Sequence, residues 1–274
     1  MVGMMQARQK RPRILSISPL WLREPLAYRV YLRRINEFKN LFFDAELHFA
    51  PGVRLDLMPT DVAHAIIALT GLYETEVSRR VAALARSGGN FIDVGANYGY
   101  YTCLWVGAND HNLSVAVEAS PRNVGPLIAN IHKNRFDDRV VVCEVAAGKE
   151  DGFVGFINGS EEQTGWGGVA AEGCSNDLNV PCMRIDKILG ELGWDRVEAM
   201  KVDVEGADAW VLEGALSLLS SHRIRHVFFE ENPVRMKRLG IKNGSAQRFL
   251  KRLGYSLERL TRSEWCARAP VDSF

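Results

Sequence analysis

Apolar and polar positions change rhythm near Asn90. Before it, residues 24–38 carry apolar side chains at helical spacing, and 45–50 and 53–57 alternate on either side of Pro51-Gly52, the pattern of a β-hairpin. Pro59-Thr60-Asp61 opens a helix through 69, and a second helix over 74–86 closes at Ser87-Gly88-Gly89. After Asn90, short apolar runs at 91–94, 114–118, 140–146, 199–204 and 226–230 are separated by helical patterns at 100–106, 123–132 and 207–220. Strands apolar on both faces, with helices between them, predict a parallel sheet covered on both sides. Residues 153–157 and 179–185 interrupt this as an antiparallel excursion with a Gly-rich stretch between them, and 246–253 and 255–260 predict a closing helix and strand. The expected organisation is a helix and hairpin extension over 1–60 and an α/β domain with a doubly wound sheet over 61–274.

Composition narrows the partners. With 274 residues the chain can bury one full-sized core, and its formal net charge of +1 gives no overall attraction to nucleic acid or an anionic membrane. No run approaches the roughly eighteen apolar residues of a membrane span, and the polar, basic start lacks the apolar stretch of a secretory signal. Cys103, Cys143, Cys174, Cys182 and Cys266 show no CxxC spacing and no paired His at zinc-site distances. Scattered thiols in odd number suit a reducing compartment. A soluble, cytoplasmic protein is therefore expected, with a small-molecule partner, no nucleic acid, no membrane and no assigned metal ligand; association as a homodimer, and activation of a hydroxyl by a divalent metal on the strand-end acids, are left open.

Three stretches carry chemistry. Phe91-Ile-Asp-Val-Gly-Ala-Asn-Tyr-Gly99 is a buried strand running into a Gly-rich turn that opens a helix. In such sheets ligands bind beyond the carboxyl ends of the strands, where strand order reverses. Gly95 and Gly99 are read as letting the backbone approach a ligand, and Asp93 as suiting an amine or a sulfonium. The next strand ends in Glu118, a carboxylate able to accept both hydroxyls of a ribose. Ser120-Pro121 ends that strand, with Ser120 open to a capping role and Asn123 at the helix start. Met200-Lys-Val-Asp-Val-Glu-Gly206 places Asp203 and Glu205 two apart, on one side of an extended strand end.

Together with Glu118 and Pro121, the stretches Asp93-Val-Gly-Ala-Asn-Tyr-Gly99 and Lys201-Val-Asp-Val-Glu-Gly206, and an upstream Gly71-Leu-Tyr-Glu74, resemble the FkbM-type methyltransferases. The resemblance runs from about Asp56 to Glu231. It implies a class I methyltransferase sheet, Rossmann-like and doubly wound, with S-adenosylmethionine as methyl donor and transfer to a hydroxyl of a natural product or sugar. Carried over by position, Asp93, Gly95, Asn97 and Gly99 would line the methionine end, with Glu118 on the ribose and Ser120 and Asn123 nearby. Val145 and Ala146 would lie against the adenine, and Tyr73 and Glu74 would close the pocket. Asp203 and Glu205 would face the acceptor, and Asp208 matches a further family acid.

An alcohol is a poor nucleophile, so a base that takes its proton during attack helps. Asp203, Glu205 and Glu230 are the acids at the strand ends, with Asp203 favoured by position. The segment 158–168 holds Trp166 between glycines and predicts a lid, with Gln163 or Trp166 touching the acceptor. Arg235 falls in a basic stretch near the C-terminus, read as a solvated helix face or as a site for a phosphate-bearing acceptor. Two rival readings remain: a nicotinamide-dependent oxidoreductase, disfavoured because Asn97 stands where its G-x-G-x-x-G needs glycine, and a non-catalytic cofactor-binding module.

Overall fold

In the computed structural model, which describes residues 9–171 and 178–270, the change of rhythm at Asn90 begins a seven-stranded sheet. Its strands are β1 (Asn90–Val94), β2 (Leu113–Val117), β3 (Val140–Cys143), β4 (Val197–Val202), β5 (Ile224–Glu230), β6 (Ser256–Arg259) and β7 (Glu264–Arg268). The spatial order is β6-β7-β5-β4-β1-β2-β3. Strands β1 to β5 run parallel, and β7 is antiparallel to both of its neighbours. The chain starts at the centre, winds out through β2 to β3, then crosses back to β4. The expected doubly wound α/β sheet is thus present, and its order reverses between β1 and β4, where a crevice opens.

Alternation within each strand builds the two cores. Phe91 and Ala199 face one side of the sheet and pack with Trp105 and Phe228. Ile92, Val94, Met200 and Val202 face the other, with Ile188, Leu212 and Leu250 from the covering helices. Successive side chains of a strand point to opposite faces, so runs buried on both sides need both layers.

The N-terminal segment differs from the single helix expected over 24–38. An α-helix spans Leu20–Leu26 after a short one at Arg13–Ile17, and continues as a π-turn at Ala27–Tyr31 and a 3-10 stretch over Leu32–Phe42. Pro25 lacks the N–H for one ladder bond, and Arg34 and Phe38 leave helical backbone angles. Leu15, Ala27, Leu41 and Phe42 nevertheless bury in the same core as Phe91 and Trp105. The hairpin pairs Ala45 with Leu55 and Glu46 with Arg54. Asp61 caps helix Val62–Thr70, its carboxylate accepting the His64 N–H at 2.9 Å.

Three further expectations are corrected. The run 140–146 is not one strand: β3 stops at Cys143, and Ala146–Ala147 joins a second, four-stranded sheet beside Leu178–Met183. That sheet contains the expected antiparallel excursion, with Gly152–Ile157 on Leu178–Met183. The helix over 207–220 is two, Asp208–Glu213 and Leu216–Ser220. They part at Gly214, where a side chain would stand 2.0 Å from the Gly148 carbonyl. Helices Ile185–Leu192 and Pro233–Arg238 and strand β7 were not read from the pattern. Four of the five cysteines are free thiols, and Cys174 lies outside the described residues. Among the described residues no helix is long and apolar enough to cross a membrane.

Candidate active site

A cavity of about 550 Å³ opens at the carboxyl ends of β1, β2, β4 and β5, a size ordinary for a small-molecule site. Every residue named above for donor binding except Gly99, together with Asp203, Glu205, Glu230, Gln163 and Trp166, lines it.

The Gly-rich turn has internal reasons for its glycines. Gly95 and Gly99 have φ of +82° and +85°, a region costly for any residue with a Cβ. A Cβ on Gly95 would stand 2.0 Å from the Asp203 carbonyl oxygen, and one on Gly99 would stand 2.8 Å from Leu127. Close packing of β1 against β4 and of the next helix against Leu127 therefore demands glycine before any ligand does. Asp93 is buried, and its Oδ2 accepts both the N–H and the hydroxyl of Thr102, at 2.9 and 2.6 Å. Burial pushes its carboxyl up to about 6 against those bonds and Lys201. The oxygen bound to Thr102 tethers the following helix, which leaves Oδ1 for an amine or sulfonium.

Glu118 is buried at the end of β2. Its Oε2 accepts the Asn97 N–H at 2.7 Å and its Oε1 the Ser120 N–H at 2.8 Å. Burial raises its pKa, opposed by these bonds and by one from Asn123. A carboxylate offers about four lone-pair sites, so capacity remains for vicinal hydroxyls. The Ser120 hydroxyl makes no helix cap; it reaches Asn158 in the Gly-rich segment, 3.1 Å away.

One side of the cavity is organised around a lysine. Lys201 is almost fully buried in β4, its Nζ 3.3 Å from both Glu74 and Asp203 and over the Tyr101 ring. Tyr101 donates its hydroxyl to Glu74 at 2.7 Å, and the Tyr73 phenol is raised well above its usual range, chiefly by Glu74. Glu230, at the end of β5, is pushed up to about 7 by burial and then by the Asp203 charge. Glu264, paired opposite it on β7, is pushed up to about 8 by burial and then by Glu74.

Glu205 departs from its expectation. Strand β4 ends at Val202 and Glu205 has φ +58°, so the alternation that would put it beside Asp203 no longer applies. It pairs instead with Arg235 at 2.9 Å, and burial, then Asp203, push it up to about 8 against that pair. Asp208 is fully buried and accepts the Glu230 N–H at 3.1 Å, a structural position.

The segment 158–168 crosses the cavity. Its Thr164 donates both N–H and hydroxyl to Asp61, at 2.6 and 2.9 Å, and its Trp166 carbonyl accepts from Arg235 at 3.1 Å. The Arg235 guanidinium also lies 5.3 Å from the centre of the Trp166 ring. From sequence, Lys201 stands out only as part of a motif, Asp61 only as a helix opener and Arg235 only as one of a basic stretch, and Tyr101 is not singled out. A lysine flanked by Met200 and Val202 is the available signal for Lys201, and nothing local marks Tyr101. Among the described residues no group of three or more His, Cys, Asp or Glu side chains is placed to hold a metal ion.

The sheet order and the cavity at its carboxyl ends define a Rossmann-like protein of the class I methyltransferase kind. More narrowly, the chain belongs to the methyltransferase FkbM domain family, which matches residues 93–257. That membership sets aside the nicotinamide reading, and S-adenosylmethionine is the cofactor to fit to the cavity. No curated protein matches the chain by sequence. Similar solved structures include a precorrin-6y C5,15-methyltransferase from Geobacter metallireducens (12% identity, 73% of this chain and 90% of that one, TM-score 0.44). A putative O-methyltransferase from Klebsiella pneumoniae shows 10% identity over 73% and 82%, with a TM-score of 0.45. An O-methyltransferase from Bacillus cereus in complex with SAH shows 11% identity over 89% and 96%, with a TM-score of 0.44.

Proposed function

We propose that the protein transfers the methyl group of S-adenosylmethionine to a hydroxyl of a small molecule, with Asp203 as the base. The observation that carries this reading is the shared cavity: Glu118 and the Gly95 turn line it, and Asp203, held by Lys201, stands beside that turn at the neighbouring strand end. When bound, the donor supplies an electrophilic methyl on its sulfonium. Glu118 would take the ribose hydroxyls, Asp93 and the Gly95–Asn97 turn would hold the methionine end, and Val145 and Ala146 would flank the adenine.

The chain's own work is positioning and proton transfer. Displacement at a methyl carbon is in-line, so the acceptor must be held close and collinear with the bond that breaks. Asp203 would take the hydroxyl proton as the acceptor oxygen gains the methyl, with the donor leaving as its demethylated sulfide. Glu205 and Glu230, with raised affinities for their own protons, serve as hydrogen-bonding neighbours of the acceptor. A natural product or sugar is the acceptor class the family resemblance points to.

Transfer of isotope from methyl-labelled donor to a panel of hydroxylated metabolites tests the reading. Asp203→Asn should keep donor affinity and lose turnover. A folded protein that binds donor yet labels no acceptor in any panel would instead favour a binding module.

A further inference from the structure

The near-neutral charge of the chain conceals a strong polarity. Residues 1–40 hold nine Lys and Arg against two Glu, whereas residues 41–274 hold 25 Lys and Arg against 31 Asp and Glu. Exposed apolar side chains gather on the same segment. Ile14, Ile17, Trp21, Tyr28 and Val30 are five of the 13 large hydrophobic side chains exposed among the described residues, and Ile17 and Trp21 are each 73% exposed. The fold explains the sorting. Leu15, Ala27, Leu41 and Phe42 turn inward to the core that includes helix Val62–Thr70. Ile14 and Ile17, three apart on one helix, are left on its outer side. Arg13, Arg29, Arg33 and Lys39 are exposed among them.

We propose that this outward face of the N-terminal helices docks on an anionic lipid surface. Cations beside a protruding Trp and Ile are the combination an interface rewards: the charges meet acidic headgroups while the apolar side chains enter the acyl boundary. A nucleic acid would use the cations and leave Ile17 and Trp21 in water. Clustered apolar exposure is uncommon on a soluble monomer without a partner. Tyr28 belongs both to this face and to the lining of the cavity. Docking therefore holds the cavity mouth beside the lipid.

Co-sedimentation of the full chain with phosphatidylcholine vesicles, with and without phosphatidylglycerol, tests the proposal. Binding is expected to the mixed vesicles, weakening with added salt. It should fall about tenfold or more in Ile17→Ser and in Trp21→Ser, the loss corresponding to one buried apolar side chain. Both side chains are exposed, so melting temperature should hold, which separates lost docking from lost fold. Absence of binding to the mixed vesicles, or equal binding by the variants, overturns the proposal. So does a lipid-free dimer that Trp21→Ser dissolves, since a second copy would then cover the face. Tighter binding to an RNA oligonucleotide than to the vesicles overturns it as well.

Discussion

Lys201 Nζ lies 3.3 Å from Asp203 Oδ2, with the lysine almost wholly buried and a second carboxylate, Glu74, at the same distance. Without the lysine Glu74 would keep its hydrogen bond from Tyr101, and both acids are partly exposed, so the loss is smaller than for a stranded, fully buried charge. Lys201→Met should therefore lower unfolding free energy by less than the roughly 3–5 kcal/mol of such a case. Urea denaturation reads this directly, and an unchanged midpoint would show that the two carboxylates do not depend on the lysine.

Glu118→Gln should weaken binding of S-adenosylhomocysteine, because hydrogen bonds to a charged acceptor contribute about 1.5–3 kcal/mol each. The same carboxylate holds the Asn97 and Ser120 N–H groups, so a fall in melting temperature should accompany the loss. Calorimetry with unaltered affinity in a folded variant would remove Glu118 from the donor site.

The raised carboxyls set a pH dependence. Glu230 and Glu205 move from a usual 4.5 to about 7 and about 8. Between those limits the folded state binds more protons than the unfolded one, so their contribution to stability falls as pH rises. The ligand-free protein should lose stability from about pH 5 to pH 8 through these groups. Glu230→Gln should flatten the slope, and melting curves across that range check it; a slope identical to the parent's would contradict the shift.

Trp166→Ala should raise the acceptor KM or lower kcat while leaving donor affinity nearly intact. The segment is pinned by Asp61 on one side and Arg235 on the other, so the variant should fold normally. Identical kinetics with the true acceptor would make this segment an ordinary loop.

Determined by the sequence alone were the features that depend on neighbours a few residues apart. Continuous apolar runs located β1, β2, β4 and β5, and the turn Gly95–Gly99 announced itself by its two glycines, which take positive φ. Glu118 and Asp203 could be named because each stands immediately after, or at, the end of such a run. Tertiary structure alone decided what those residues meet. Asp93 spends an oxygen on Thr102, Gly95 yields to the Asp203 carbonyl, and Glu205 turns to Arg235 thirty positions away. Strand β7 is short and its ends are polar, so only pairing with β5 and β6 makes it a strand. The buried Lys201 shows the difference most directly. Its strand and its neighbour Asp203, two residues on, are legible locally, but the second acid that makes its burial tolerable, Glu74, comes from far upstream, and an ion pair between distant residues leaves no trace in local spacing.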